Sequence, residues 1–152
     1  MIVYINGNDN RCKQLAKLMI ADGYQIQEDS RLISSCDIIY LGKDGQGFEQ
    51  VDFKNNAIVL SLLKNQRLCY LSKLKGFNYS YLYSDEDFVV ENTHISDEAV
   101  IAYMIIDNSI SLSNSNVLIL GYGHCGRDLA AKLEKFNAKV SISNRSDHYH
   151  DE

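Results

Sequence analysis

The stretch that decides the fold reads Asn116-Val-Leu-Ile-Leu-Gly-Tyr-Gly-His-Cys-Gly-Arg-Asp-Leu-Ala-Ala-Lys-Leu-Glu-Lys-Phe-Asn-Ala-Lys-Val-Ser-Ile-Ser-Asn-Arg145. It predicts a strand, a glycine turn, a helix and a second strand. A GxGxxG run alone is weak evidence, but Gly121, Gly123 and Gly126 stand between an apolar strand and a helix, as a dinucleotide-binding turn requires. Gly121 permits the tight turn, Gly123 lets the backbone approach a pyrophosphate, and Gly126 allows the helix to pack closely on the strand. The helix start offers free N–H groups to phosphate oxygens. Leu129, Ala130, Leu133 and Phe136 are the expected buried face of that helix. The expected cofactor contacts are Gly121, Tyr122, Gly123, His124, Cys125 and Gly126, with His124 turned to solvent or phosphate rather than to substrate.

The end of the second strand selects the dinucleotide. An acidic residue about 20 positions after the turn binds the ribose 2′-hydroxyl of NAD. Here the residues are Asn144, Arg145 and Ser146. Asn144 removes the repulsion a carboxylate would exert on a 2′-phosphate. Arg145 offers a partner for that phosphate and a plane to stack on adenine. Ser146 adds a hydroxyl. NADP is therefore expected over NAD. A complete fold of this kind has two such halves, and little sequence follows Arg145 before Glu152. The expectation is a single βαβ unit of a shortened domain.

Outward from this stretch, 152 residues with 45% hydrophobic and 23% charged side chains describe an ordinary globular chain. A net charge of −5 gives no basic footprint for nucleic acid. No apolar run is long enough to span a membrane, and Met1-Ile-Val-Tyr-Ile enters a strand without the basic start of a signal peptide. A cytoplasmic location is expected. The scattered Cys12, Cys36, Cys69 and Cys125 read as free thiols. His148 and His150 read as part of a frayed tail, and no metal site is expected.

The N-terminal part reads as a compact α/β domain. Strands are expected at Ile2–Ile5, Tyr24–Gln27, Asp37–Leu41, Ala57–Leu62 and Phe77–Tyr83, with helices after the turn cluster Asn6–Asn10 and over Gln66–Lys73. Leu15, Leu18 and Met19 give the first of these a short apolar stripe. Short helices are allowed for around Ser30–Ser35 and Gln50. Ser96 reads as an N-cap, with Asp97 and Glu98 in the first turn. Val100, Ile101, Met104 and Ile105 then form one apolar face, ending near Asn108. Ser111–Ser115 reads as a polar linker. The fold class is α/β: a flavodoxin- or Rossmann-like domain (residues 1–92), a linking helix and connector (93–115), and the first βαβ unit of a Rossmann dinucleotide-binding domain (116–152).

Residues 83–146 resemble the A subunit of bacterial dipicolinate synthase. Asn92-Thr-His-Ile-Ser-Asp-Glu98-Ala-Val-Ile is similar to the start of that family's domain-linking helix. Gly121, Gly123, Gly126 and the Asn144-Arg145-Ser146 end match its cofactor part, and Asn6-Gly-Asn-Asp-Asn-Arg11 is similar to its glycine-Asp-Arg opening. The chain departs from the family at Asn8, Ile95 and Ala99. The resemblance implies an oxidoreductase that makes dipicolinate from a dihydrodipicolinate-type precursor during sporulation. It implies a nicotinamide cofactor, a flavoprotein-like partner (the B subunit), and a two-domain plan related to the D-2-hydroxyacid dehydrogenases with substrate between the domains. It gives Glu98 a place near the substrate as a weak catalytic candidate; a helix-dipole carboxylate is the competing reading. His94 and His124 are candidates by position only, and the residues assign no catalytic group.

The competing function is a non-catalytic nucleotide- or partner-binding module that lacks the second half. A 2-hydroxyacid dehydrogenase relative would need an Arg and a Glu–His pair beyond this first nucleotide half, and none is seen. A homodimer is expected in either of the first two cases, because an uncovered strand edge near Val140–Ser143 invites pairing.

Overall fold

The computed structural model describes residues 1–107 and 111–145. The chain divides into two compact units, Met1–Asp85 and a second beginning at Glu86. In the first, the order is β1 (Ile2–Ile5), α1 (Asn10–Ala21), β2 (Gln25–Gln27), a 3-10 turn (Ser30–Ser35), β3 (Ile38–Tyr40), β4 (Ile58–Ser61), α2 (Gln66–Lys75), β5 (Asn78–Tyr81) and a second 3-10 turn (Leu82–Ser84). The five strands are parallel and lie in the order β2-β1-β3-β4-β5. This is the doubly wound, flavodoxin-like order. The expected α/β class and all five expected strands are present, each of the last four shorter than its expected range.

The apolar residues of the inner strands β1, β3 and β4 supply much of the core: Val3, Tyr4, Ile39 and Val59 are buried. Ile39, Val59, Leu41 and Leu68 are fully buried. The rings of Phe53 and Phe77 meet edge-on with centroids 5.1 Å apart. Phe53 comes from the long connection between β3 and β4, which contains turns and no helix at Gln50. Gly42, Gly45 and Gly47 in that connection all take positive φ, which interrupts helical geometry. In α1 the expected stripe is weaker than its pattern: Leu18 is exposed, and Cys12 is the buried residue.

Asn65 ties this unit together. Its side-chain oxygen caps α2 by accepting from the N–H groups of Arg67 (3.0 Å) and Leu68 (3.1 Å). Its amide donates to the Asp44 carbonyl (3.0 Å) and the Glu49 carboxylate (2.9 Å). Its backbone N–H donates to the Tyr79 hydroxyl at 2.8 Å, which lies 2.6 Å from the Ser61 hydroxyl.

The second unit contains α3 (Glu86–Asp107), β6 (Asn116–Leu120), α4 (His124–Lys135) and β7 (Lys139–Ser143), with β6 and β7 parallel. The strand–turn–helix–strand reading of this region holds. The reading of α3 is corrected. The helix begins at Glu86, with Glu86 and Asp87 in its first turn. Ser96 lies mid-helix and its hydroxyl donates back to the Asn92 carbonyl at 2.7 Å. The buried face is Thr93, Asp97 and Ile101, with Met104 half-buried, whereas Val100 and Ile105 are exposed. Two polar residues on the inner face masked the true stripe. Leu112, expected in a polar linker, is buried with Ile101, Ile119, Ala130 and Leu133. Phe136 is the C-cap of α4 and stays exposed. The expected helix end at Asn108, Ser146 and the tail histidines His148 and His150 lie outside the described residues. Among the described residues, no helix is long and apolar enough to cross a membrane.

Asn65→Ala removes the α2 cap and leaves buried polar partners unmatched. It is expected to lower unfolding stability by about 2 kcal/mol, read from urea denaturation. A loss under about 0.5 kcal/mol, within the range of ordinary surface substitutions, would show that the network does not hold the unit.

Candidate functional site: the glycine turn and the acidic pair behind it

The register of β6 and β7 brings the two expected cofactor segments together. Leu120 pairs with Ser143, and the Gly121 N–H donates to the Ser143 carbonyl at 2.8 Å. The glycine turn and the Asn144–Arg145 end therefore leave the sheet side by side. Gly121 has φ +111°, a conformation that favours glycine. A Cβ on Gly126 would collide with the Gly121 carbonyl oxygen, so α4 sits directly on the strand end. A Cβ on Gly121 or Gly123 would meet nothing, which leaves an open backbone surface. Gly123 is the N-cap of α4 and has no side chain to cap the first turn. A bare turn, an uncapped helix start and an open approach suit the pyrophosphate of a dinucleotide.

His124 and Cys125 are exposed and Tyr122 is half-buried. The Arg127 guanidinium lies 5.3 Å from the centre of the Tyr122 ring, and its Nε donates to the Tyr122 carbonyl at 3.4 Å. It thus folds back over the turn as a cation that the sequence pattern did not single out. The Asn144 side chain accepts from the Arg145 N–H at 3.0 Å. The exposed Arg145 makes no salt bridge among the described residues.

Behind the turn, α3 and α4 enclose a charged cluster. His94 Nδ1 lies 2.8 Å from Asp128 Oδ1, and Lys132 Nζ lies 2.8 Å from Asp128 Oδ2. Lys132 also donates to the His94 carbonyl at 2.8 Å. Asp97 is buried beside Asp128, and its Oδ2 has no hydrogen-bond partner among the described residues. Burial first, then the neighbouring Asp128 carboxylate, pushes the Asp97 carboxyl up. Burial also pushes Asp128 upward, but Lys132, His94 and Asp97 together hold it below the usual carboxylate range. A cavity of about 300 Å³ opens beside the pair, lined by Val90, Thr93, His94, His124, Arg127 and Asp128. The Thr93 hydroxyl lies 3.8 Å from the Cys125 thiol.

The sequence pattern placed Asp97 in a helix first turn and left Asp128 and Lys132 unremarked. Their spacing of four on one helix was the available signal. Glu98 is exposed in the middle of α3, next to the buried Asp97 and not at a helix start. In the first unit, Asn6, Gly7 and Asn8 border an open cleft of about 620 Å³ at the carboxyl ends of β1 and β2, where Lys13 and Glu28 also contribute. Arg11 is exposed and paired with Asp9 at 3.2 Å.

No family model matches the chain. An adenosylhomocysteinase of Haloquadratum walsbyi is 32% identical over 53 residues, 35% of this chain and 12% of that protein. Among solved structures, the dipicolinate synthase A subunit of Bacillus halodurans matches with a TM-score of 0.70 at 20% identity, over 96% of this chain and 62% of that one. Its counterpart from Bacillus subtilis matches with a TM-score of 0.69 at 18% identity, over 96% of this chain and 61% of that one. D-lactate dehydrogenase with NAD+ from Lactobacillus jensenii matches with a TM-score of 0.53 at 13% identity, over 96% of this chain and 54% of that one. The chain thus spans about three fifths of the length of these two dipicolinate synthase proteins. The resemblance read from its residues holds as a likeness of fold along nearly the whole chain.

Two outcomes test the site's construction. Gly126→Ala forces α4 off the turn and is expected to cost about 1–3 kcal/mol, whereas Gly123→Ala projects into open space and is expected to leave thermal stability unchanged. Equal melting temperatures for the two variants would contradict the close helix–turn contact. The second outcome concerns pH. A carboxyl whose value is raised by folding adds stability that is complete below its unfolded value, about 3.9, and is lost as pH rises through the folded value. Asp97→Asn removes that loss. The stability of Asp97→Asn relative to the parent chain is expected to rise with pH above about pH 4; a flat difference would show that folding does not raise the Asp97 carboxyl.

Proposed function

We propose that the second unit binds a nicotinamide dinucleotide, with NADP preferred over NAD, and that the chain is an oxidoreductase resembling the dipicolinate synthase A subunit or a piece of such an enzyme. The single observation that carries this reading is the 2.8 Å bond from Gly121 to Ser143, which sets the bare glycine turn beside Asn144 and Arg145. The turn backbone and the start of α4 hold the pyrophosphate. Arg145 pairs with a 2′-phosphate, and Asn144 in place of a carboxylate leaves that phosphate unopposed. Arg127, lying across Tyr122, adds positive charge at the mouth. The cofactor supplies a hydride acceptor or donor. The likeness to dipicolinate synthase suggests a dihydrodipicolinate-type precursor as substrate, a B-type subunit of that enzyme as partner, and a cytoplasmic place in the sporulating cell.

A second reading is favoured by the surface of β6 and β7. Leu118 and Ile142 are exposed, and Leu120 is 79% exposed. Such a face suits a module that docks on another chain, a second copy included, with or without a nucleotide.

Calorimetric titration with NADPH and NADH separates these readings. NADPH is expected to bind at least about tenfold more tightly, and Arg145→Ala to erase the difference, since a hydrogen bond to a charged group contributes about 1.5–3 kcal/mol. Equal affinities would remove the NADP preference and keep the dinucleotide. No heat with either ligand would leave the docking module as the reading.

A further inference from the structure

We propose that His94 is the acid–base group of the second unit: its Nε2 exchanges a proton with the ligand that enters the cavity beside the glycine turn. Asp128 holds the ring from behind. The inference rests on the nicotinamide reading above and adds to it a proton-transfer site.

The geometry leads there in three steps. First, the Nδ1 of His94 faces a carboxylate at 2.8 Å. A carboxylate accepts only, so Nδ1 carries a hydrogen whether the ring is neutral or charged. The proton that comes and goes is therefore on Nε2. Second, Nε2 has no protein partner among the described residues, and the side chain is 45% exposed on a cavity it shares with Thr93, His124 and Arg127. Third, Asp128 is fixed by more than the histidine. Lys132 Nζ lies 2.8 Å from its other oxygen, so the ring has a charged backing of the kind that orients an acid–base imidazole.

One ring nitrogen is engaged between α3 and α4, and the side chain lines a space large enough for a ligand. The groups facing His94 are Asp97 from its own helix and His124, Arg127, Asp128 and Lys132 from α4. The substrate class is a carbon bearing an O–H or N–H. On oxidation its C–H electron pair leaves as hydride to the oxidised nicotinamide. The O–H or N–H bond breaks, its electron pair forms the new C=O or C=N bond, and the proton goes to Nε2. The imidazolium so formed is stabilised by Asp128.

The test is nuclear magnetic resonance of the whole chain with 15N-labelled histidine, His94 being assigned by His94→Gln. Free chain, chain with NADP+ and chain with NADPH are titrated across about pH 5–9, the range in which histidine changes charge. The ring of His94 is expected to carry its neutral-state hydrogen on Nδ1, and Asp128→Asn to relax that preference toward that of the exposed His124. Each dinucleotide is expected to displace the His94 midpoint by about half a pH unit or more, and the oxidised and reduced forms by different amounts, because they differ by one charge. A His94 tautomer ratio equal to that of His124 in the parent chain would overturn the proposal. So would an unmoved midpoint while the Gly121, Gly123 and Gly126 amides respond to the ligand; in that case the cofactor reading stands. Amides and imidazole both silent to either dinucleotide would overturn the cofactor reading and this one with it.

Discussion

The second unit depends on the contact between Gly126 and the carbonyl of Gly121. There is no room at residue 126 for even one carbon. This lets α4 begin directly over the end of β6, so that Ala130 and Leu133 reach Ile119 and close a small core. It also fixes what lies above: an uncapped helix start, the open faces of Gly121 and Gly123, and the neighbouring end of β7. Packing and ligand approach share one constraint, because the missing Cβ atoms that seat the helix also bare the backbone.

The same close seating explains why charged groups are found inside. With α4 against α3, the inner face of α3 meets Asp128 and Lys132 around His94 and Asp97, and meets the apolar Ala130 and Leu133 at Ile101. Asp97 is then buried beside another carboxylate, and both burial and that neighbour push its carboxyl up. Lys132 and His94 in turn allow Asp128 to remain charged. Each member is tolerable only because the others are present, so the cluster is one unit and not four separate contacts.

This is also where the sequence was least legible. Helix detection by apolar spacing works when the buried face is apolar. On α3 the inner positions begin with Thr93 and Asp97, and Ile101 and Met104 come only later. The pattern therefore pointed to a helix starting about ten residues late, with Ser96 as its cap. The actual start at Glu86 carries acidic residues in its first turn, a signal equal in kind to the one at Asp97 and Glu98. A dipole argument could not choose between them; only burial does. In the first unit the reverse holds. Ile2–Ile5, Ile38–Tyr40 and Ile58–Ser61 are short apolar runs between glycine- and asparagine-rich turns, and they were legible because nothing charged interrupts them. Their order in the sheet was not legible, since pairing is between segments far apart in sequence.

The glycine turn was legible for a different reason: backbone chemistry restricts which residues can stand there. Gly121 must accept φ +111° and Gly126 must accept a carbonyl against its α-carbon. A motif of that kind reports its geometry from sequence alone. The acid–base cluster reports nothing in advance, because aspartate, histidine and lysine are common on solvated helix faces, and their meaning here comes from which face is turned inward. On the reading proposed above, a backbone-limited feature places the ligand, and side chains whose pairing emerges only on folding set its proton chemistry. It follows that substitutions at the turn and in the cluster act on different quantities. The former change whether the ligand fits, and the latter change which protons accompany it.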